Sequence, residues 1–274
     1  MTGLQLSDLL EPVMQLAYEA GRLIESELNR PDGPRGSGFK ADVDVEIEVL
    51  LRQRLKHILN CDFVGEETGC ELSGHPFSWV VDPHDGTGDF LNRRPGSAIS
   101  IGLLHNATPV LGVVYAPVTP RGPDCIAWAE GVPALLRNSR PVENDLQSAI
   151  LAPGTVVMVS YGATQKAKQN ALLCDPASVL PMTSIAYRLA RVAAGDGVAA
   201  VSLYSVSPHD LVASHALLRA VNGDIWNEKG EPVRYATPQA FTRNLTFCFG
   251  GAPAACSELL GRPWHCLKDS GHVP

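Results

Sequence analysis

Asp82 and Asp85 stand three residues apart where a short apolar run, Trp79-Val80-Val81, stops at Asp82-Pro83, and Gly86-Thr87 follows directly. Two carboxylates this close repel each other unless a cation sits between them. Hard oxygen ligands suit Mg²⁺ or a similar ion rather than zinc. Backbone N–H groups of a Gly-Thr turn beside that cation suit a phosphate group. The pattern points to metal-assisted phosphate chemistry. The plainer alternative is a strand ending in an Asx-type turn, since Asp, Pro and Gly all favour turns.

Other acids could join the pair. Gly65-Glu66-Glu67 follows a short strand expected over Cys61-Asp62-Phe63-Val64. One of these glutamates can complete a cation's coordination or take a proton from the water that the cation polarises. Exposed loop acids are the ordinary reading of the same residues. Asp210, in Ser207-Pro208-His209-Asp210-Leu211, sits at the start of an expected helix. It is either an acid stabilised by the helix N-terminus or a carboxylate delivered to the same ion by the second half of the chain. His84 and His209 adjoin these acids, so a His-based transition-metal site is the competing arrangement. Adjacent residues at a strand end or helix start point apart, and Mg²⁺ prefers oxygen. Neither imidazole is therefore expected to be a ligand, and His84 would serve through its carbonyl.

The elements that must carry these residues are legible by periodicity. Ser7 to Leu28 repeats apolar residues at helical spacing (Leu9, Leu10, Val13, Met14, Leu16, Ala17, Ala20, Leu23, Ile24), with Ser7 as the expected N-cap. Residues 31–39 read as a loop, and a second helix is expected from Asp44 to Leu59. Ala98 to Leu104 and Val110 to Tyr115 read as paired strands around a turn at His105-Asn106, and Pro117 to Gly122 as a further turn. Beyond a mixed stretch at 137–154, strand and helix alternate: Thr155–Ser160, Gln165–Leu173, Ile185–Ala194, Val198–Leu203, then Leu211–Val221 ending at Asn222-Gly223, and a last strand at Phe247–Phe249. This is a mixed α/β protein in two layered halves, 1–145 and 146–274.

The chain has 274 residues, 45% hydrophobic, and a net charge of −7. That is enough apolar material for a sizeable core. The acidic balance argues against a nucleic-acid polymer as partner, but not against a small phosphorylated substrate, because bound cations reverse the local sign. Seven scattered cysteines without a C-x-x-C spacing fit reduced thiols in a cytoplasmic protein. The first eight residues lack a basic region followed by an apolar core, so no signal peptide is expected. No apolar run approaches the length of a membrane span.

The segment from Trp79 to Phe90 (W-V-V-D-P-H-D-G-T-G-D-F) closely resembles the W-V-I-D-P-I-D-G-T-x-x-F motif of the inositol monophosphatase family, within the Mg²⁺-dependent, lithium-sensitive phosphatases. Gly65-Glu66-Glu67 matches that family's G-E-E. His209 to Gly223 resembles its W-D-x-A-A helix, and Ser184 to Gly195 its G-S-A-A-L helix. Asp44 and Glu48 resemble the acids of its T-x-x-D-x-x-x-E segment. The resemblance runs from the first helix to about residue 250. It implies a layered αβαβα sandwich (α/β, α+β) and Mg²⁺-dependent hydrolysis of a small phosphate monoester, with two or three ions and with Mn²⁺ as a substitute. It implies one ion on Glu66, Asp82 and the His84 carbonyl, and another on Asp82, Asp85 and Asp210. Glu66 and Thr87 would orient and deprotonate water, and the N–H groups of Gly86 and Thr87 would hold phosphate. Ser184 and Arg188 fall on the substrate side. A homodimer and lithium inhibition are implied as well.

Four positions depart from the pattern: Ala41 for Thr, Thr183 for Gly, His209 for Trp, and Leu203 where inositol monophosphatases carry an inositol-binding Glu. Arg188 falls where nucleotide bisphosphate phosphatases of the superfamily carry a Lys, and a cation there could bind a second phosphate. Its ordinary reading is a solvated helix face. A 3′(2′),5′-bisphosphonucleotide phosphatase is thus the alternative activity, and a catalytically silent binding protein the alternative class.

Overall fold

The computed structural model describes residues 5–236, 241 and 244–267. Residues 1–4 of the expected first half, and 237–240, 242–243 and 268–274 of the expected second half, lie outside the described residues. The described residues form seven α-helices: α1 (Leu6–Leu28), α2 (Asp42–Ile58), α3 (Thr87–Leu91), α4 (Ala167–Cys174), α5 (Ile185–Ala193), α6 (Pro208–Arg219) and α7 (Pro253–Leu260).

An eight-stranded sheet carries the central motif. Its spatial order is Arg140–Val142, Leu135–Arg137, Asp124–Ala129, Thr108–Ala116, Ala98–His105, Phe77–Asp85, Asp62–Gly65 and Cys70–Glu71. All its pairs are antiparallel except Asp62–Gly65 against Phe77–Asp85. The Ala98–His105 strand is buried along nearly its whole length. It reads as a continuous apolar run rather than an alternation because helices cover both faces of the sheet. On one face, α1 and α2 bury Val13, Met14, Ile47 and Leu51 against Trp79, Val81, Ile99 and Ile101. On the other, α5 and α6 meet Val80, Ala98 and Val114.

The far side of the α5–α6 layer packs on a five-stranded sheet, ordered Ser178–Met182, Val156–Ser160, Ala199–Ser202, Cys248–Gly251 and Asp224–Asn227. α7 packs against the Cys248–Gly251 strand and α4 against Ser178–Met182. The result is the expected αβαβα stack. Burying a large apolar side chain such as Leu51 or Ile101 contributes about 1.5–3 kcal/mol, so each layer is held by its own apolar faces.

Some local expectations change. Ser7 lies inside α1, whose N-cap is Gln5 without a side-chain bond. α2 starts at Asp42 because Asp44 accepts from the Ala41 N–H at 3.0 Å, closing the first turn from within. The hairpin turn falls on Asn106-Ala107, both at positive φ, as a two-residue turn of this kind requires. Among the described residues all seven cysteines are free, and no helix is long and apolar enough to cross a membrane.

Candidate active site

The Phe77–Asp85 strand delivers two carboxylates to one cleft by breaking its own alternation. Side chains three apart on a regular strand face opposite ways. Here Asp82 pairs with Ser100 and Asp85 with Ala98, so the strand holds one residue more than its partner between them. That bulge turns both acids to the same side. Pro83 sits within the bulge, where a missing N–H costs no ladder bond. Asp82 Oδ1 also accepts from the His84 N–H at 2.8 Å, so the Asx-type turn and the clustered acids are one structure.

Gly86 has φ +96°, a conformation that favours glycine, and it caps α3. Thr87 opens that helix. Its hydroxyl donates to the His84 carbonyl at 2.8 Å, with Asp44 Oδ2 at 3.2 Å as the other acceptor in reach.

Glu66 reaches the cleft from the end of the Asp62–Gly65 strand. The turn that carries it is held by buried Glu48, which accepts from the Glu67 N–H at 2.9 Å and the Thr68 N–H at 2.5 Å. A Cβ on Gly65 would come 2.2 Å from Glu48 Oε1, so only glycine lets that carboxylate approach. Asp210 comes from the first turn of α6. It accepts from the Ser207 N–H, capping the helix, and faces Asp82 and Asp85. The helix-start reading of Asp210 holds, and the same carboxylate lies beside Asp82 and Asp85. The Ser100 hydroxyl donates to the His209 carbonyl at 3.1 Å and ties this helix start to the large sheet.

Oxygen atoms of Asp82, Asp85 and Asp210 lie within 4.8 Å of one another; so do ligand atoms of Glu66, Asp82 and His209. Asp82 is fully buried and its pKa is driven well above the carboxylate range by burial and by the charges of Glu66, Asp85 and Asp210. Burial raises Asp85 to about 6, helped by Asp210, and raises Asp210 to about 6. Glu66, 41% exposed at the cleft edge, is raised to about 8 by partial burial and by facing Asp210, Glu67 and Asp85. Among the described residues, the imidazole of His209 is the only basic side chain paired with any of these four acids. Acids pushed upward together in this way are a donor set that fits a hard divalent cation.

Asp85 Oδ2 also accepts from the Ser184 hydroxyl and the Ala186 N–H, both at 2.7 Å, so it is seated on the N-terminus of α5. Ser184 has φ +38°, a strained value for a non-glycine residue. Arg188, on the same helix, is not on a solvated face. It is 3% exposed, bonded to the carbonyls of Ser184 (3.3 Å) and Val201 (2.6 Å), and it lines the cleft. Burial lowers its pKa to about 10, against the opposing charge of Asp85.

The cleft holds about 890 Å³ and is lined by all of Glu66, Asp82, His84, Asp85, Gly86, Thr87, Ser184, Arg188 and Asp210. The two imidazoles next to the acids are placed differently. The His84 imidazole turns away from the acids, bonded to Asp44 at 2.7 Å and Ser97 at 2.9 Å. Its carbonyl accepts from the Thr87 hydroxyl. His209 does not point apart from its neighbour's site: it comes to 3.9 Å from Glu66. Successive helix residues diverge by about 100°, and Glu66 approaches from the side His209 faces. The link from Asp44 to Thr87 and His84 was not foreseen; the T-x-x-D-like spacing flagged Asp44 without its role. The aromatic rim of Phe39, Tyr161 and Tyr204 left no periodic signal.

The sequence profile described as "Inositol monophosphatase family" matches residues 5–248. A fructose-1,6-bisphosphatase/inositol-1-monophosphatase of Aquifex aeolicus is 29% identical over 71% of this chain and 74% of that protein. Nus factor SuhB of Escherichia coli is 30% identical over 78% of this chain and 83% of its own. The solved inositol monophosphatase of Anabaena (Nostoc) superposes with a TM-score of 0.71 at 21% identity, covering 93% of this chain and 94% of the other. The chain belongs to the inositol monophosphatase family, a family of metal-dependent phosphatases.

Proposed function

We propose that this protein hydrolyses a small phosphate monoester with the help of divalent cations, Mg²⁺ foremost. The observation that carries the reading is the convergence of Glu66, Asp82, Asp85 and Asp210 beside the Gly86-Thr87 turn in one cleft. Asp82, Asp85 and Asp210 would hold one ion, and Glu66, Asp82 and the His84 carbonyl another. Bound cations supply positive charge that acidifies water and stabilises the leaving oxygen.

The chain's own groups do the rest. Glu66, at the cleft edge beside Asp82, can accept the proton of the attacking water once it is ionised beside a bound cation. The Thr87 hydroxyl, held against His84 and Asp44, orients that water. The N–H groups of Gly86 and Thr87 receive phosphate oxygens. Water attacks phosphorus in line as its proton passes to Glu66, the ester P–O bond breaks, and the leaving alkoxide takes a proton from solvent. Residues 1–145 carry the motif acids, and 146–274 deliver Asp210, Ser184 and Arg188 to them.

Arg188 favours a second reading of the substrate, a 3′(2′),5′-bisphosphonucleotide. It is a buried guanidinium at the cleft with no ion-paired carboxylate among the described residues, and a second phosphate would supply one negative partner. Leu203 packs on the core and offers no group to an inositol hydroxyl. Phosphate release from inositol 1-phosphate, 3′-phosphoadenosine 5′-phosphate, fructose 1,6-bisphosphate and p-nitrophenyl phosphate decides between these. Arg188→Ala should lower kcat/KM for the bisphosphonucleotide by about 10- to 100-fold, the loss of a charged hydrogen bond, and for p-nitrophenyl phosphate much less. Equal losses would remove the nucleotide reading. The free thiols fit a cytoplasmic setting, and sedimentation would test the homodimer that the family resemblance implies.

A further inference from the structure

We propose that His209 adds a nitrogen ligand to a cation held between Glu66 and Asp82, so that this end of the cleft favours a borderline ion such as Zn²⁺ or Co²⁺ over Mg²⁺. The inference rests on reading the acid cluster as a cation site. It concerns which donors that site offers.

Three observations carry it. Ligand atoms of Glu66, Asp82 and His209 lie within 4.8 Å of one another. His209 Nε2 is 3.9 Å from Glu66 Oε1, too far for a direct hydrogen bond. That distance is within the span of two ligands each about 2.1 Å from a shared ion. Finally, the two buried imidazoles use both ring nitrogens: His84 on Asp44 and Ser97, His215 on Tyr235 and Asp224. The His209 ring, 16% exposed, has no hydrogen bond to another side chain or carbonyl among the described residues, and the cleft is where it points. A neutral imidazole keeps one lone pair for an acceptor or metal bond.

The two groups share Asp82 but differ in kind. Asp82, Asp85 and Asp210 offer oxygen alone, which suits Mg²⁺. Glu66, Asp82 and His209 offer two carboxylates and an imidazole, which suits later first-row ions. The cleft is therefore built for two unlike ions, with the imidazole end nearer Glu66.

The test uses the whole protein stripped of metal. Mn²⁺ serves as the spectroscopic probe, and pulsed EPR should show ¹⁴N modulation from a directly bound imidazole. His209→Phe should remove that modulation. By calorimetry, His209→Phe should weaken Zn²⁺ binding about tenfold or more while Mg²⁺ binding changes little. Retained Mg²⁺ binding by the variant also reports that its fold is intact. Mn²⁺ bound by the unaltered protein without ¹⁴N modulation would overturn this proposal and leave the phosphatase reading standing. An unaltered Zn²⁺ to Mg²⁺ affinity ratio in His209→Phe would overturn it equally. Failure of the unaltered protein to bind any divalent ion would overturn both.

Discussion

Asp85→Asn removes one negative charge from the four-acid cluster while keeping an oxygen that accepts from Ser184 and Ala186. Two effects of opposite sign follow. Turnover should fall by about 10²-fold or more, as when a group stabilising transition-state charge is removed. The metal-free protein should gain stability, because burial and like charge penalise the carboxylate at this position. A gain of ~1 kcal/mol would raise Tm by about 2–4 °C. Calorimetry on chelated protein, beside an assay of phosphate release, measures both. Near-normal activity in this variant would remove Asp85 from the site.

At the scale of elements, the Asp62–Gly65 strand, the bulged Phe77–Asp85 strand and the starts of α5 and α6 must meet within a few ångströms. Gly65 is a tight joint beside the Glu66 turn. Gly65→Ala would drive a methyl group into Glu48, the carboxylate that holds the Glu66 turn. A cost of about 1–3 kcal/mol in urea unfolding is expected from such overpacking, with a loss of activity beyond what stability explains. An alanine variant as stable and active as the parent would contradict this account of the turn.

Much of this layer was legible in the sequence. The apolar periodicity of α1 and α2, the Trp79–Val81 run and the Asn222-Gly223 stop all fall where local rules put them. Elements whose signals cancel were not foreseen. Ser178–Met182 contains Pro181, which argues against a strand, yet it lies at a sheet edge where proline is tolerated. Leu135–Arg137 and Arg140–Val142 are three residues each, too short for a period, and are joined by Asn138-Ser139 at positive φ. The site was legible as a set of residue types. The bulge that turns Asp82 and Asp85 to one side was not, because register is a property of two strands and not of one.

The whole molecule couples the cluster to pH. Glu66 at about 8, Asp85 and Asp210 at about 6, and Asp82 higher than its usual range all sit above the unfolded carboxylate value near 4. Between those values the folded chain holds more protons than the unfolded one. The stability this gives the metal-free protein is full below about pH 4 and is lost as pH rises toward about 8. A cation must displace those protons, so its stabilising effect grows over the same window. The difference in Tm between Mg²⁺ and EDTA should be small near pH 5 and large near pH 8. A flat difference would mean that the raised carboxylates are not the ligands.

The proposed cation-dependent phosphatase site stands or falls on turnover. Its most direct test is phosphate release from the monoester panel, by the same protein, with Mg²⁺ and with EDTA. Release should require Mg²⁺, stop in EDTA and return when Mg²⁺ is restored. Release that continues undiminished in EDTA, or no release from any ester by folded protein that binds Mg²⁺, would contradict it.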